Sequence, residues 1–138
     1  MRIMAIDYGD AHTGIAISDP TGFLAGFTTV INAYRPEVVA EQVAALAKEH
    51  GVEELVLGHP INMDGTRGPR SEKAQAMKAL LEETTSLPVV LWDERRTTID
   101  AHQILFNSGT NAKKRKKVVD AVAATLILEG YLTYKKSH

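Results

Sequence analysis

The sequence predicts an α/β fold, a mixed five-stranded sheet flanked by helices. Three observations lead there. Three short apolar runs, separated by tight turns, fill the first 31 residues of the 138-residue chain. The apolar spacing then changes from that of strands to that of a helix. Two later strand-like runs each follow a helical segment. Hairpin-linked strands give an antiparallel meander. Right-handed crossovers would lay strands four and five parallel to strand one, with helices on the sheet's faces.

The elements follow in order. Arg2 to Asp7 is apolar and ends in an acid, and Tyr8-Gly9-Asp10 reads as a turn. Thr13 to Ser18 is a second strand, closed by Asp19-Pro20-Thr21-Gly22, and Phe23 to Ile31 is a third. Val39, Val43, Leu46 and Ala47 recur at helical spacing, with Pro36 suited to the first turn and Gly51 to the position past the end. Glu54 to Gly58 is a fourth strand, and a Gly-containing loop runs from His59 to Gly68. A second helix over Ser71 to Glu83 carries Ala74, Met77 and Leu81 on one face. Leu87 to Trp92 is a fifth strand, with Pro88 at its start, where a missing N–H does least harm. Thr97 and Asp100 resemble a capping box opening a third helix, which carries Ala101, Ile104 and Leu105 and stops at Asn107-Ser108-Gly109. Asn111 caps a last helix, running through Val119, Ala123 and Leu126 towards Gly130.

With neither a repeat nor a Ser/Pro-rich linker, residues 1–138 read as a single domain, as this length predicts. The absence of Cys excludes thiolate catalysis, Cys-bearing zinc sites, Fe–S clusters and a disulfide framework. No apolar stretch approaches the length of a bilayer span. Met1-Arg2 leads directly into the first strand, which leaves no room for a signal peptide, so a cytoplasmic location and no membrane partner are expected.

Charge is unevenly spread. Sixteen Lys and Arg against 17 Asp and Glu give a net −1. Lys113, Lys114, Arg115, Lys116 and Lys117 are consecutive; setting these five aside leaves 11 against 17, a net −6. A basic block on an acidic body suggests an anion-binding edge, although the block alone reads equally as a solvated face. It lies at the start of the last helix, where positive charge opposes the helix dipole. That position favours binding to backbone phosphates, and such binding is strongly salt-dependent.

Three acids carry the sharpest expectation. Asp7 ends strand one, and Asp93-Glu94 ends strand five. In a parallel arrangement Asp7 and Glu94 share one rim, the edge where ligands gather in such sheets. Asp120 lies inside the last helix among Val118, Val119, Ala121, Val122 and Ala123. Asp is a poor helix-interior residue, and an acid on an apolar face must be paired or bind a cation. Converging carboxylates suit Mg²⁺ or Mn²⁺, hard cations that prefer oxygen ligands. Two such ions about 4 Å apart can activate a water and stabilise a leaving oxygen on a phosphodiester. Taken singly, Asp7 reads as a turn residue and Glu94 as a partner for Arg95.

Four blocks resemble the YqgF family of Holliday-junction resolvases or pre-16S rRNA nucleases. They are Ala5-Ile6-Asp7-Tyr8-Gly9 with Thr13-Gly14-Ile15-Ala16, Gly58 to Thr66, Asp93-Glu94-Arg95-Arg96-Thr97-Thr98, and Asp120-Ala121-Val122-Ala123-Ala124. They appear in the family's order and span residues 5 to 124. The resemblance implies a ribonuclease-H-like fold and an Asp–Glu–Asp metal site on Asp7, Glu94 and Asp120. It also implies a cytoplasmic role in maturing the 5′ end of pre-16S rRNA. The alternatives are a Holliday junction resolvase acting on four-way DNA and a non-catalytic nucleic-acid-binding module. An ATP-binding module of the actin or sugar-kinase kind would need two lobes of this fold. Junction resolvases of this fold carry an acid just after strand four; this chain has His59-Pro60 there. His12 stands where the family often has an Arg, and Arg96 where it often has an apolar residue.

Further candidates for phosphate contact are Arg95 and Arg96, whose guanidinium forks suit it, and Arg67 and Arg70 at the start of helix two, where free N–H groups favour anions. Tyr8 is the aromatic placed to touch a base, or equally to serve the core. The partner expected is nucleic acid, precursor rRNA ahead of junction DNA, bound by a monomer or homodimer.

Overall fold

The continuous apolar run Ile3-Met4-Ala5-Ile6 marks a strand buried on both faces, and such strands belong in the middle of a sheet. The computed structural model describes residues 1–20, 25–59, 68–93 and 112–137; the side chains of 112–121 and 137 lie outside the description. In it β1 (Arg2–Asp7) is central. β2 (His12–Ser18) pairs with it antiparallel, and β3 (Ala25–Asn32) pairs antiparallel with β2. On the other side β4 (Val52–His59) runs parallel to β1, and β5 (Val89–Asp93) parallel to β4. The strand order is β3-β2-β1-β4-β5. This is the mixed five-stranded sheet the element order predicts.

Strand alternation sorts the core into two layers. Met4, Ile6, Ile15, Ile17, Leu55 and Leu57 point to one face, beneath α1 (Pro36–His50) and α2 (Pro69–Thr85). Ile3, Ala5, Ala16 and Val56 point to the other, beneath α3 (Ala112–Ser137), which contributes Ala124, Ile127, Leu128, Tyr131 and Leu132. The small Ala5, Ala16 and Ala124 let α3 approach the sheet closely. Each fully buried Ile or Leu contributes roughly 1.5–3 kcal/mol.

The helices end for local reasons. α1 begins at Pro36 and stops at Gly51, whose left-handed φ of 68° turns its N–H back onto the Ala47 and Lys48 carbonyls. α2 opens at Pro69 and runs to Thr85, where Ser86 takes the same left-handed turn at φ 59°. No Gly marks that end, and the helix runs two residues past Glu83, where the sequence places its end. β4 starts earlier than expected, at Val52, and β5 begins at Val89, just after Pro88.

One expectation is overturned. Gly130 does not end the last helix, which continues to Ser137. Its missing side chain serves close packing instead: a Cβ there would stand 3.2 Å from Cζ2 of Trp92 on β5. The helix expected over 97–109 lies outside the described residues.

Candidate functional site

β1, β4 and β5 are parallel, and two antiparallel steps bring β3 into the same direction. Their C-terminal ends therefore form one rim, where Asp7, His59 and Asp93 are the last residues of β1, β4 and β5. His59 and Asp93 are register partners. Strands lie about 4.8 Å apart, so Asp7 and Asp93 stand roughly 10 Å apart across β4.

Alternation decides which acid faces which layer. Asp7 follows Ile3 and Ala5 and shares the α3 side of the sheet, half-buried. Asp93 follows Val89 and Leu91 and belongs to the α1/α2 side. Residue 120 lies in α3 one turn before Ala124, which is fully buried against the same layer as Ile3 and Ala5. Asp7 is thus the one expected ligand whose side chain is described. Glu94 lies outside the described residues, and the side chain of Asp120 does as well. Among the described residues, no three His, Asp or Glu side chains form a group that could hold a metal.

The turn after Asp7 is tightly built. A Cβ on Gly9 would come within 2.3 Å of the His12 carbonyl oxygen, so the chain closes there only with glycine. The Ala33 N–H donates to the Ala11 carbonyl at 3.0 Å and ties the turn to the end of β3. The His12 ring is engaged as well, with Nδ1 2.6 Å from Asn32 Oδ1 across the β2–β3 ladder. That contact links β2 to β3.

His59, noted in the sequence as standing where junction resolvases of this fold carry an acid, has a partner that the sequence reading did not foresee. It is buried, and its Nε2 lies 2.6 Å from Ser71 Oγ. The available signal was Ser71 itself, a polar residue on the apolar stripe of Ala74, Met77 and Leu81. The bond fixes the first turn of α2 against the end of β4. It thereby sets the position of Arg70, which lines a shallow recess with Tyr8, Asp10, Gly58, Lys73 and Ala74.

Beside that recess, a cavity of about 270 Å³ opens between the starts of α1 and α2, lined by Tyr8, Tyr34, Pro36, Lys73 and Met77 among others. Lys73 donates to Asp10 at 3.1 Å at its mouth. Burial pushes the Tyr8 phenol above its ordinary pKa, with Lys73 opposing, so Tyr8 stays neutral at physiological pH. Sequence reasoning missed Tyr34 and Lys73, since residues 8, 34 and 73 meet only through the fold.

Of the expected phosphate-binding residues, Arg70 is thus brought to the rim, exposed in the first turn of α2. Arg67, Arg95 and Arg96 lie outside the described residues. Lys113, Lys114, Arg115, Lys116 and Lys117 occupy the start of α3, with side chains outside the description.

Comparison with known proteins agrees with this architecture. The RuvX family model, described as Holliday junction resolvase, matches residues 1–134. A protein of Halothermothrix orenii named "Putative pre-16S rRNA nuclease" is 44% identical over 135 residues, covering 98% of this chain and 96% of its own. The Bacillus subtilis protein of the same name is 43% identical over 134 residues, covering 96% of this chain and 97% of its own. Among solved structures, T. thermophilus RuvC in complex with a Holliday junction substrate superposes with a TM-score of 0.65. It is 11% identical and covers 99% of this chain and 96% of its own, a likeness of fold. A family model matched over nearly the whole chain, full-length relatives above 40% identity and a RuvC-like, ribonuclease-H-type sheet agree, and the chain belongs to the RuvX (YqgF) family.

Proposed function

We propose that the chain is a metal-dependent nuclease, a hydrolase of phosphodiester bonds in structured nucleic acid. The observation that carries this reading is the placement of Asp7, at the end of the central strand and on the face that α3 covers. Relatives of similar length are named for nuclease action on pre-16S rRNA, which makes 5′-end processing of that precursor the favoured role. The whole chain, residues 1–138, acts as one nuclease domain, in the cytoplasm, as a monomer or homodimer.

The catalytic and metal-binding set is Asp7, Glu94 and Asp120. Asp7 and the helix that carries Asp120 lie on one side of the sheet. Val90 and Trp92 of β5 pack on that side too. Three carboxylates are an oxygen-only donor set, which fits Mg²⁺ or Mn²⁺ and disfavours softer metals. Bound there, such ions would lower the pKa of a water and neutralise charge on the phosphate. Asp7 serves to orient that centre from a rigid strand. The half-buried position of Asp7 at the rim leaves an approach for a phosphate. Arg70, Arg67, Arg95, Arg96 and the basic start of α3 hold the flanking backbone.

Four-way DNA is the second candidate substrate, favoured by the family's description. Against it stands His59 at the end of β4, turned inward to Ser71 where a resolvase of this fold would carry an acid. The test is cleavage of a 5′-extended small-subunit rRNA precursor and of a four-way junction, with Mg²⁺ or Mn²⁺. Precursor cleavage that disappears with Asp7→Asn supports the reading. Cleavage of neither substrate, with binding retained, would leave only a non-catalytic binding module.

A further inference from the structure

We propose that the cavity between the starts of α1 and α2 receives one unpaired base of the nucleic-acid strand, stacked between Tyr8 and Tyr34. The inference rests on the nuclease reading for the strand's path over the rim. The cavity itself rests on described residues alone.

Three features point to this occupant. Tyr34 is 82% exposed, far more than any other large apolar side chain among the described residues. An aromatic so placed adds little to the core, yet here it lines a cavity. Tyr8 lines the same cavity while its ring is packed against the α1/α2 core, so it offers a fixed aromatic wall. At about 270 Å³ the cavity is smaller than most drug-sized sites and suits a single ring system. Stacking on aromatic side chains is the general way proteins hold unpaired bases, and it tolerates any sequence.

Charge completes the fit. Lys73 lines the cavity and the recess beside it, and Arg70 lines that recess. A phosphate joined to the stacked nucleotide would meet these two cations. Asp10 pairs with Lys73 at the mouth and offers an acceptor to an exocyclic amino group. The geometry also connects to the proposed catalytic face. Asp7 and Tyr8 are consecutive, about 3.8 Å apart at Cα, yet Asp7 belongs to the α3 side and Tyr8 to the α1/α2 side. A strand crossing the rim could present a phosphate to Asp7 and a neighbouring base to Tyr8. A fully paired duplex cannot supply that base without opening.

The experiment measures fluorescence anisotropy of a short single-stranded RNA and of a blunt RNA duplex in EDTA, where no cleavage occurs. Tyr34→Ala should weaken single-strand binding about tenfold, leave duplex binding unchanged, and be rescued by Tyr34→Phe. A 4-thiouridine in the single strand should crosslink to Tyr8 or Tyr34. Equal loss on both RNAs, no loss on either, or no single-strand binding by the unsubstituted protein would overturn the inference. So would displacement of the RNA by free AMP with equal affinity, which would make the cavity a mononucleotide site. Tyr34-dependent binding without cleavage of either substrate in the presence of Mg²⁺ or Mn²⁺ would sink the nuclease reading and leave this one standing. Cleavage with no dependence on Tyr34 would do the reverse.

Discussion

His59 and Ser71 join the end of the fourth strand to the first turn of the second helix through a buried contact of 2.6 Å. Both residues are nearly or wholly inaccessible. Burial leaves the ring nitrogen poorly accessible to solvent when the hydroxyl is removed. Ser71→Ala should therefore cost about 1–3 kcal/mol, the penalty for stranding a buried polar atom. Urea denaturation would measure it. A loss below about 0.5 kcal/mol would mean that the ring finds another partner.

Gly9→Ala places a methyl carbon within 2.3 Å of the His12 carbonyl, so the turn itself must move. We expect a loss of about 1–3 kcal/mol, as in other overpacked sites. Because Asp7 and Tyr8 precede the turn directly, cleavage and single-strand binding should both weaken. Normal stability with normal activity would show that the turn opens freely.

Asp7→Asn keeps the side-chain shape and removes the charge. If Asp7 is a ligand, activity should fall by more than the roughly 10–100-fold typical of losing an outer-sphere partner of a metal site. Thermal stability should change little, since the side chain is only half-buried. Retained activity would remove Asp7 from the mechanism.

The far end of α3 carries a pH-dependent contact. Burial, followed by hydrogen-bond donation to Glu54, pushes the Tyr131 phenol up to about 12. The folded state thus favours the neutral phenol. Its contribution is complete below pH 10 and is lost as pH rises from about 10 towards about 12. Lys135 also donates to Glu54, at 3.0 Å. The informative quantity is the stability difference between the unsubstituted protein and Tyr131→Phe, measured by urea denaturation at pH 8 and again near pH 11. It should shrink with rising pH; a constant difference would mean that the phenol is not raised in the folded state.

Local pattern carried much of this protein. Alternation and run length marked all five strands, and the 3.6-residue spacing of Val39, Val43 and Ala47 marked α1. The handedness of crossovers makes β4 and β5 parallel to β1, and the structure has them so; of the pair expected on the shared rim, Asp7 stands there and Glu94 lies outside the described residues. Asp120 stood out because an acid inside an apolar helical run conflicts with its neighbours, and that conflict is written in sequence; Asp7 taken singly reads as a turn residue and gains weight only from the shared rim.

What the fold alone decided involves residues far apart in the chain. Asp10 and Lys73 are 63 positions apart and bond at the mouth of the cavity. Tyr34 follows no periodic pattern and gains meaning only beside Tyr8. Gly130 looked like a helix end, because a glycine that stops a helix and one that admits a neighbouring indole look the same in sequence. Periodicity reports which way a side chain points from its own element. It does not report how far away the next element lies, and that distance, set by packing across the sheet, makes the cavity and the His59–Ser71 contact.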